Sequence, residues 1–420
     1  QIIDYEKVQK NFLEPEVGER SKDTFINDSL INLQIPLLFK KTKTKQKINN
    51  TDYLLSKFSN NILNNGVGAY AKASAYLDIY NNHVVVSSKD GSIFYFNIDD
   101  FTTDTLNALS IPSNIKKIIK YDKFYENKRF GVKDALIYED KIYIAYTNQL
   151  TENCFNISVI VSKMNFDFLN FKNFFTPQDC VKKDNDYGEF SANQSGGRLF
   201  PFKNKKFLLT KGEFRYRTLA QNPNNTFGKI LSISENKYDI LSLGVRNSQG
   251  LYYDFEKDVI IFSDHGPYGG DEINVHHNPS NENVKNFGWP ISSYGEHYPP
   301  VLKKYYATAP LYKSHKDHGF EEPIHYYVPS ITTSEIIKIP NNFFTGSSKN
   351  KKENFFLTSL GFTEFEGERS IYHIQFNNKL DEIISEKQIK IGERIRDIKY
   401  INNLEKVILF LDNTASIAIL

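Results

Sequence analysis

Arginine, carboxylate and glycine–proline steps crowd the second half of this chain at places where a strand connection would need only a turn. Gly244-Val245-Arg246-Asn247-Ser248-Gln249-Gly250 sets a guanidinium beside an amide. A planar guanidinium fork suits a ligand carboxylate, although a structural carboxylate would also satisfy Arg246. Asp264-His265-Gly266-Pro267, then Gly270-Asp271-Glu272, brings together the oxygen donors a hard cation requires. Gly266, Pro267, Asp271 and Glu272 are therefore candidate Ca2+ ligands, and an acidic loop tied by its own amides would leave the same sequence. Arg394 and Arg396 lie in Gly392-Glu393-Arg394-Ile395-Arg396-Asp397. Alternate strand residues face one side, so the two are expected to project together.

A further segment, Asn193-Gln194-Ser195-Gly196-Gly197-Arg198, precedes the run 207–210 and Lys211-Gly212-Glu213. The neutral amide of Gln194 can hydrogen-bond a hydroxyl but cannot accept its proton. His265, His276, His277 and His297 lack the i, i+4 helical spacing of a catalytic zinc motif and read as surface or hydrogen-bonded histidines. His265 adjoins Gly266-Pro267 and is the candidate proton acceptor there. Cys154 and Cys180 are the two cysteines. A disulfide between them would close one strand-loop-strand excursion and contribute roughly 3–4 kcal/mol; two reduced thiols are the alternative. A disulfide would imply an oxidising compartment, periplasmic or extracellular. The chain starts at Gln1 and contains a single Met, Met164, as removal of a secretion signal or trimming would leave it.

The elements that must hold these residues read as strands. Aromatics make up 14%, with 33 Phe and 26 Tyr, and such residues favour strands. Helical periodicity is nearly absent after residue 60, and short β-rich runs joined by turn residues recur. His83–Ser88 and residues 92–98 flank Lys89-Asp90-Gly91, a hairpin signal because Asp-Gly accepts positive φ. Similar runs lie at 142–146, 157–161, 229–233, 259–262, 335–339, 355–358 and 370–375. Lys406–Leu411 and 415–420 end the chain as strands, which suits a ring closed by both termini. Residues 1–60 read as an irregular segment with one outer strand, and 275–309 and 312–327 as long ordered loops. Net charge is +2, from 52 basic and 50 acidic residues. No basic block argues for nucleic acid, and Lys40-Lys41-Thr42-Lys43-Thr44-Lys45 reads as a solvated loop. No run approaches the roughly 20 apolar residues of a membrane span.

Taken in order, these segments resemble the soluble quinoprotein sugar dehydrogenases, the glucose/sorbosone dehydrogenase family. Asn286-Phe287-Gly288-Trp289-Pro290 extends the match, with Phe287 where the family has tyrosine. The resemblance implies an all-β fold: a six-bladed β-propeller of four-stranded antiparallel blades with long inter-strand loops, one domain over 1–420. It implies pyrroloquinoline quinone (PQQ) contacted by Arg246, Asn247, Arg394 and Arg396, with Ca2+ at the Gly266 and Pro267 carbonyls. Gln194 stands where the family has its histidine base. Val245 and Ser248 replace a His and a Pro, and Gly361 stands where a cofactor lysine is expected. The following segment carries Glu364, Glu366, Glu368 and Arg369 instead.

Three functions follow. The first is a PQQ- and Ca2+-dependent aldose dehydrogenase, in which the quinone accepts hydride from a sugar hydroxyl. The second is a non-catalytic propeller that binds a carbohydrate, an anionic ligand or a protein partner. The third, a lactonase-like hydrolase, ranks last because no acidic cluster marks a central-channel metal in the sequence.

Overall fold

The computed structural model describes residues 34–48, 51–60, 63, 71–119, 130–281, 284–298, 303–343, 352–361, 367 and 369–420. Within them the chain is built of antiparallel strands, with short helical turns such as Ile115–Ile118 and Lys303–Thr308. No described helix is long and apolar enough to cross a membrane. The hairpin around Asp90-Gly91 forms between His83–Ser88 and Ile93–Asn97, with Gly91 at φ 84°.

Two sheets have four strands. One runs Ser248–Asp254, Val259–Asp264, Asp271–His277, His325–Tyr327; the other Thr333–Ile339, Lys352–Ser359, Ser370–Asn377, Ile383–Lys390. Two have five. Gly196–Pro201, Phe207–Lys211, Lys229–Ser234 and Lys237–Leu243 carry Lys285–Asn286 as an added parallel edge. Val132–Tyr138, Lys141–Thr151, Cys154–Lys163 and Lys172–Phe175 carry Val181–Lys182 on the third strand. The remaining sheet has nine. In it Ile395–Ile401, Lys406–Leu411 and Ser416–Ile419 pair onto Thr51–Ser59; that strand continues through Pro36–Ile48 to Thr105–Ser110, Ile93–Asn97, His83–Ser88 and Ala75–Tyr80. Sheet sizes thus depart from a uniform four. The N-terminal segment contributes two strands rather than one: Leu37 and Phe39 alternate inward, and Leu55 and Phe58 are buried on opposite faces of theirs. Residues 1–33 lie outside the described residues.

The first strand of each sheet unit packs beside the next: Ala75–Tyr80, Val132–Tyr138, Gly196–Pro201, Ser248–Asp254, Thr333–Ile339 and Ile395–Ile401, which returns to Ala75–Tyr80. Neighbouring first strands share no ladder, so side chains join them. Asp397 accepts from the Leu77 amide (2.7 Å), Asp78 from Ile137 (2.5 Å), Asp134 from Leu199 (2.7 Å) and Glu335 from Leu251 (3.2 Å). Ser334 donates to the Arg396 carbonyl at 2.8 Å.

Arg198, 2% exposed, sits inside this ring. It pairs with Asp134 (3.2 Å), Glu335 (2.8 Å) and Asp397 (3.0 Å). It also donates to the carbonyls of Gln249 (2.7 Å) and Arg396 (2.9 Å) and lies over the Tyr76 ring. One guanidinium therefore touches all five other first strands. The acidic cluster that no local motif announces does exist: Asp78, Asp134, Glu335 and Asp397 come together across the fold, and Arg198 and Lys399 supply the opposing charge.

Candidate active site

In each antiparallel unit the start of the first strand lies beside the end of the second, as Ser248 faces Asp264 and Gly196 faces Lys211. Residues just before first strands and just after second strands therefore gather at one end. Gln194, Arg246, Asn247 and Arg394 arrive by the first route, and Glu213, His265 and Asp412 by the second. Close approach is built in: a Cβ on Gly212 would stand 2.3 Å from the Gln194 carbonyl oxygen, and one on Gly266 2.1 Å from that of Gly270.

Gln194 lies between charges. In the amide orientation that satisfies its neighbours, it donates to Glu213 (2.8 Å) and accepts from Arg246 (2.9 Å) and Arg215 (3.2 Å). Glu213 is fully buried, and burial pushes its carboxyl up to about 7 against the pull of Arg246, Arg217 and Arg215. Arg246 donates to the His265 carbonyl at 2.8 Å and stacks over Trp289 at 5.1 Å. Its Nε is buried without a hydrogen-bond partner among the described residues. Burial holds the Arg246 guanidinium below its usual range. Asp264 organises the turn by accepting from the Arg246 and Asn247 amides (2.7 and 2.6 Å), and burial pushes it up to about 7. Asn247 in turn accepts from the Gly196 amide (3.1 Å) and from Gln249 (3.0 Å), so it positions rather than reaches out.

Arg246 and Trp289 wall two adjoining cavities. The larger, about 430 Å³, adds Gln194, Arg215, Arg217 and Tyr298. The smaller, about 210 Å³, adds Asp264, His265, Gly266 and Glu272, and the Trp289 Nε1 and Ser292 Oγ on its wall are buried without partners among the described residues. His265 Nε2 lies 2.5 Å from the Thr333 carbonyl; that nitrogen therefore carries the proton and Nδ1 is the ring's acceptor. Burial lowers its pKa, so the ring is neutral.

The candidate metal residues meet here, with their carboxylates engaged by the protein. Asp271 accepts from Gly266 (2.9 Å), Ser330 (2.6 Å) and the amides of Thr332 (2.6 Å) and Thr333 (3.3 Å). Glu272 faces His315 (3.1 Å) and accepts from Asn274 (3.1 Å). Among the described residues no group of three or more His, Cys, Asp or Glu is arranged to hold a metal. Arg394 and Arg396 converge on Asp412, at 3.9 and 2.8 Å, and Arg394 also donates to the Gly361 carbonyl. Neither lines the two cavities. Glu364, Glu366 and Glu368 lie outside the described residues. His276 meets Ser242 (3.0 Å), and His297 meets Arg217 (3.2 Å) and the Ala309 carbonyl (2.9 Å). Cys154 and Cys180 form a disulfide.

Sequence reasoning passed over Arg215, Arg217 and Glu189, which line the larger cavity. The two arginines had one local signal, Glu213-Phe214-Arg215-Tyr216-Arg217 directly after a second strand.

Residues 75–418 match the family model described as Glucose / Sorbosone dehydrogenase. The chain is 29% identical over 160 residues to the aldose sugar dehydrogenase YliI of Escherichia coli strain K12, covering 34% of this chain and 40% of that protein. The solved soluble aldose sugar dehydrogenase of Escherichia coli, in its apo form, superposes with a TM-score of 0.64 at 18% identity, covering 83% of this chain and 95% of that one. The PQQ-bound aldose sugar dehydrogenase of Streptomyces coelicolor gives 0.53 at 14%, covering 84% and 94%. With the match spanning most of the described strands and the same fold in these neighbours, the chain belongs to the glucose/sorbosone dehydrogenase family.

Proposed function

We propose that this protein is a PQQ- and Ca2+-dependent sugar dehydrogenase on a single six-bladed propeller, oxidising a sugar hydroxyl. The cycle of first strands, with the nine-stranded sheet counted as two blades bridged by Pro36–Ile48, supports the blade count. The observation that carries the function is Arg246: buried, stacked on Trp289, with an Nε that has no hydrogen-bond partner among the described residues, on the smaller cavity beside His265 and Gly266. A flat carboxylate-bearing cofactor such as PQQ fits that guanidinium. Arg246 would hold it, Asn247 and Asp264 would fix Arg246, and Arg394 and Arg396 would add positive potential from beside Asp412. The Gly266 and Pro267 carbonyls would hold Ca2+, with Asp271 and Glu272 bracing the loop. When bound, the quinone supplies the hydride acceptor. Gln194 orients the sugar hydroxyl, and His265 Nδ1 is the proton acceptor. The disulfide supports a periplasmic or secreted location.

A second reading has one observation in its favour. Gln194 is held between Glu213 and two guanidiniums, an arrangement that binds a polar ligand without taking its proton. A catalytically inactive propeller that binds a carbohydrate, an anion or a protein partner would carry it.

The test is to incubate the protein with PQQ and Ca2+, desalt it, and record the visible spectrum and a thermal melt. Retained quinone absorbance with a raised melting temperature is expected, and R246A should lose both. No retention and no shift would overturn the quinoprotein reading and leave the binding one.

A further inference from the structure

We propose that the larger cavity takes an anionic sugar, one bearing a carboxylate, and that Arg215 is the residue that selects it. This rests on reading the cavity as the sugar side of the site, but its test needs no quinone.

Phe214 and Arg215 both adopt left-handed backbone, at φ 53° and 68°, a conformation costly for residues with a Cβ. Phe214 is fully buried, and the surrounding core holds the pair in place. The strained turn brings the Arg215 Nε to within 3.2 Å of Gln194 on the cavity wall. The three guanidiniums there differ in what they already hold. Arg217 pairs with Glu189 at 3.0 Å and meets His297. Arg246 holds the His265 carbonyl and the Trp289 face. Arg215 forms no ion pair among the described residues, and its Nη groups, the pair a carboxylate engages side by side, make no hydrogen bond there.

Charge points the same way. Two carboxylates face three arginines. Glu189 is taken by Arg217, and Glu213 is pushed up to about 7 by burial. The cavity is thus net positive, and a neutral aldose would leave that uncompensated. A hexuronate supplies the carboxylate for Arg215 and hydroxyls for Gln194, Tyr298 and Glu189, all of which line the cavity.

The experiment is calorimetric titration of the purified protein, without quinone, with glucuronate, glucose and sodium sulfate at pH 7. Glucuronate is expected to bind about tenfold or more tighter than glucose. R215Q should abolish that preference, R215K should keep part of it, and both variants should melt like the parent. Equal binding of the two sugars, no glucuronate binding, sulfate binding as tight as glucuronate, or an unchanged preference in R215Q would each overturn the proposal. So would R215Q losing PQQ retention while PQQ-loaded parent protein no longer binds glucuronate, since Arg215 would then be a cofactor ligand. A glucuronate preference in a protein that never retains PQQ would sustain this proposal and sink the quinone reading instead.

Discussion

At Gln194, one side chain joins Glu213 to Arg246, and the three form a unit whose protonation is set by burial. A Glu held up to about 7 in the fold but near its ordinary value when unfolded keeps a proton that the unfolded chain has released. Between about pH 4.5 and 7 the native state therefore binds more protons, and stability falls as pH rises through that window. E213Q removes this dependence. Urea unfolding at pH 5 and pH 8 should show the parent losing on the order of 2–3 kcal/mol relative to E213Q, whereas parallel profiles would mean that the three arginines keep Glu213 ionised. Arg246, Asn247, His265, Gly266 and Gln194 could be read from the sequence because each lies in a short glycine-marked motif. Arg215 and Glu189 could not, since they meet only after two strands and a turn have folded back; Arg215 had only the alternating Glu213–Arg217 run to mark it, and nothing local marks Glu189. The destination of Arg394 and Arg396 was equally hidden: that Asp412 would hold both depends on the ladder between Ile395–Ile401 and Lys406–Leu411.

Elements place these side chains, and Lys229 shows how. It faces Lys211 across the ladder and is fully buried. Its Nζ donates to the carbonyls of Leu219 (3.0 Å), Ala220 (3.0 Å) and Phe227 (2.5 Å), closing the turn Arg217–Gln221 onto the strand. Removing that amine takes a donor from all three carbonyls; Leu219 still accepts from the Asn222 amide and Ala220 from the Gly244 amide, and a buried group left unsatisfied costs about 1–3 kcal/mol. K229M should lose about 1–3 kcal/mol of stability and expose the 217–221 amides to faster hydrogen exchange while distant strands stay protected. Exchange unchanged at 217–221 would show that the turn is held by its own packing. Strands themselves were legible wherever apolar residues ran unbroken, as in Lys406–Leu411 and Val259–Asp264. The exceptions were Pro36–Ile48 and Thr51–Ser59, where lysines and polar residues interrupt the apolar ones: Leu37 and Phe39 alternate inward, while Leu55 and Phe58 are buried on opposite faces.

For the molecule as a whole, the ring depends on groups no local pattern announces. First strands contact each other without a ladder; apolar clusters span neighbouring sheets, and buried carboxylates accepting neighbouring amides add a polar join at four of the six junctions. Arg198 neutralises three of those carboxylates from the middle. Burial pushes Asp134 up to about 7 and raises Glu335 even with that guanidinium beside them, so without it these two would hold their protons to still higher pH. R198M therefore strands buried negative charge, and breaking a buried pair from one side costs about 3–5 kcal/mol. The sign of its pH dependence follows. At pH 5 protonation relieves the stranded carboxylates, and at pH 8 folding must work against their ionisation, so the deficit of R198M should widen from pH 5 to 8. Asp397 also accepts the Leu77 amide, a bond an asparagine oxygen can keep, so R198M/D397N should recover part of the loss. Chemical denaturation at the two pH values tests this. A pH-independent deficit, or no recovery in the double variant, would mean that Arg198 acts through its packing on Tyr76 and its bonds to the Gln249 and Arg396 carbonyls. The ring would then be held by shape more than by charge.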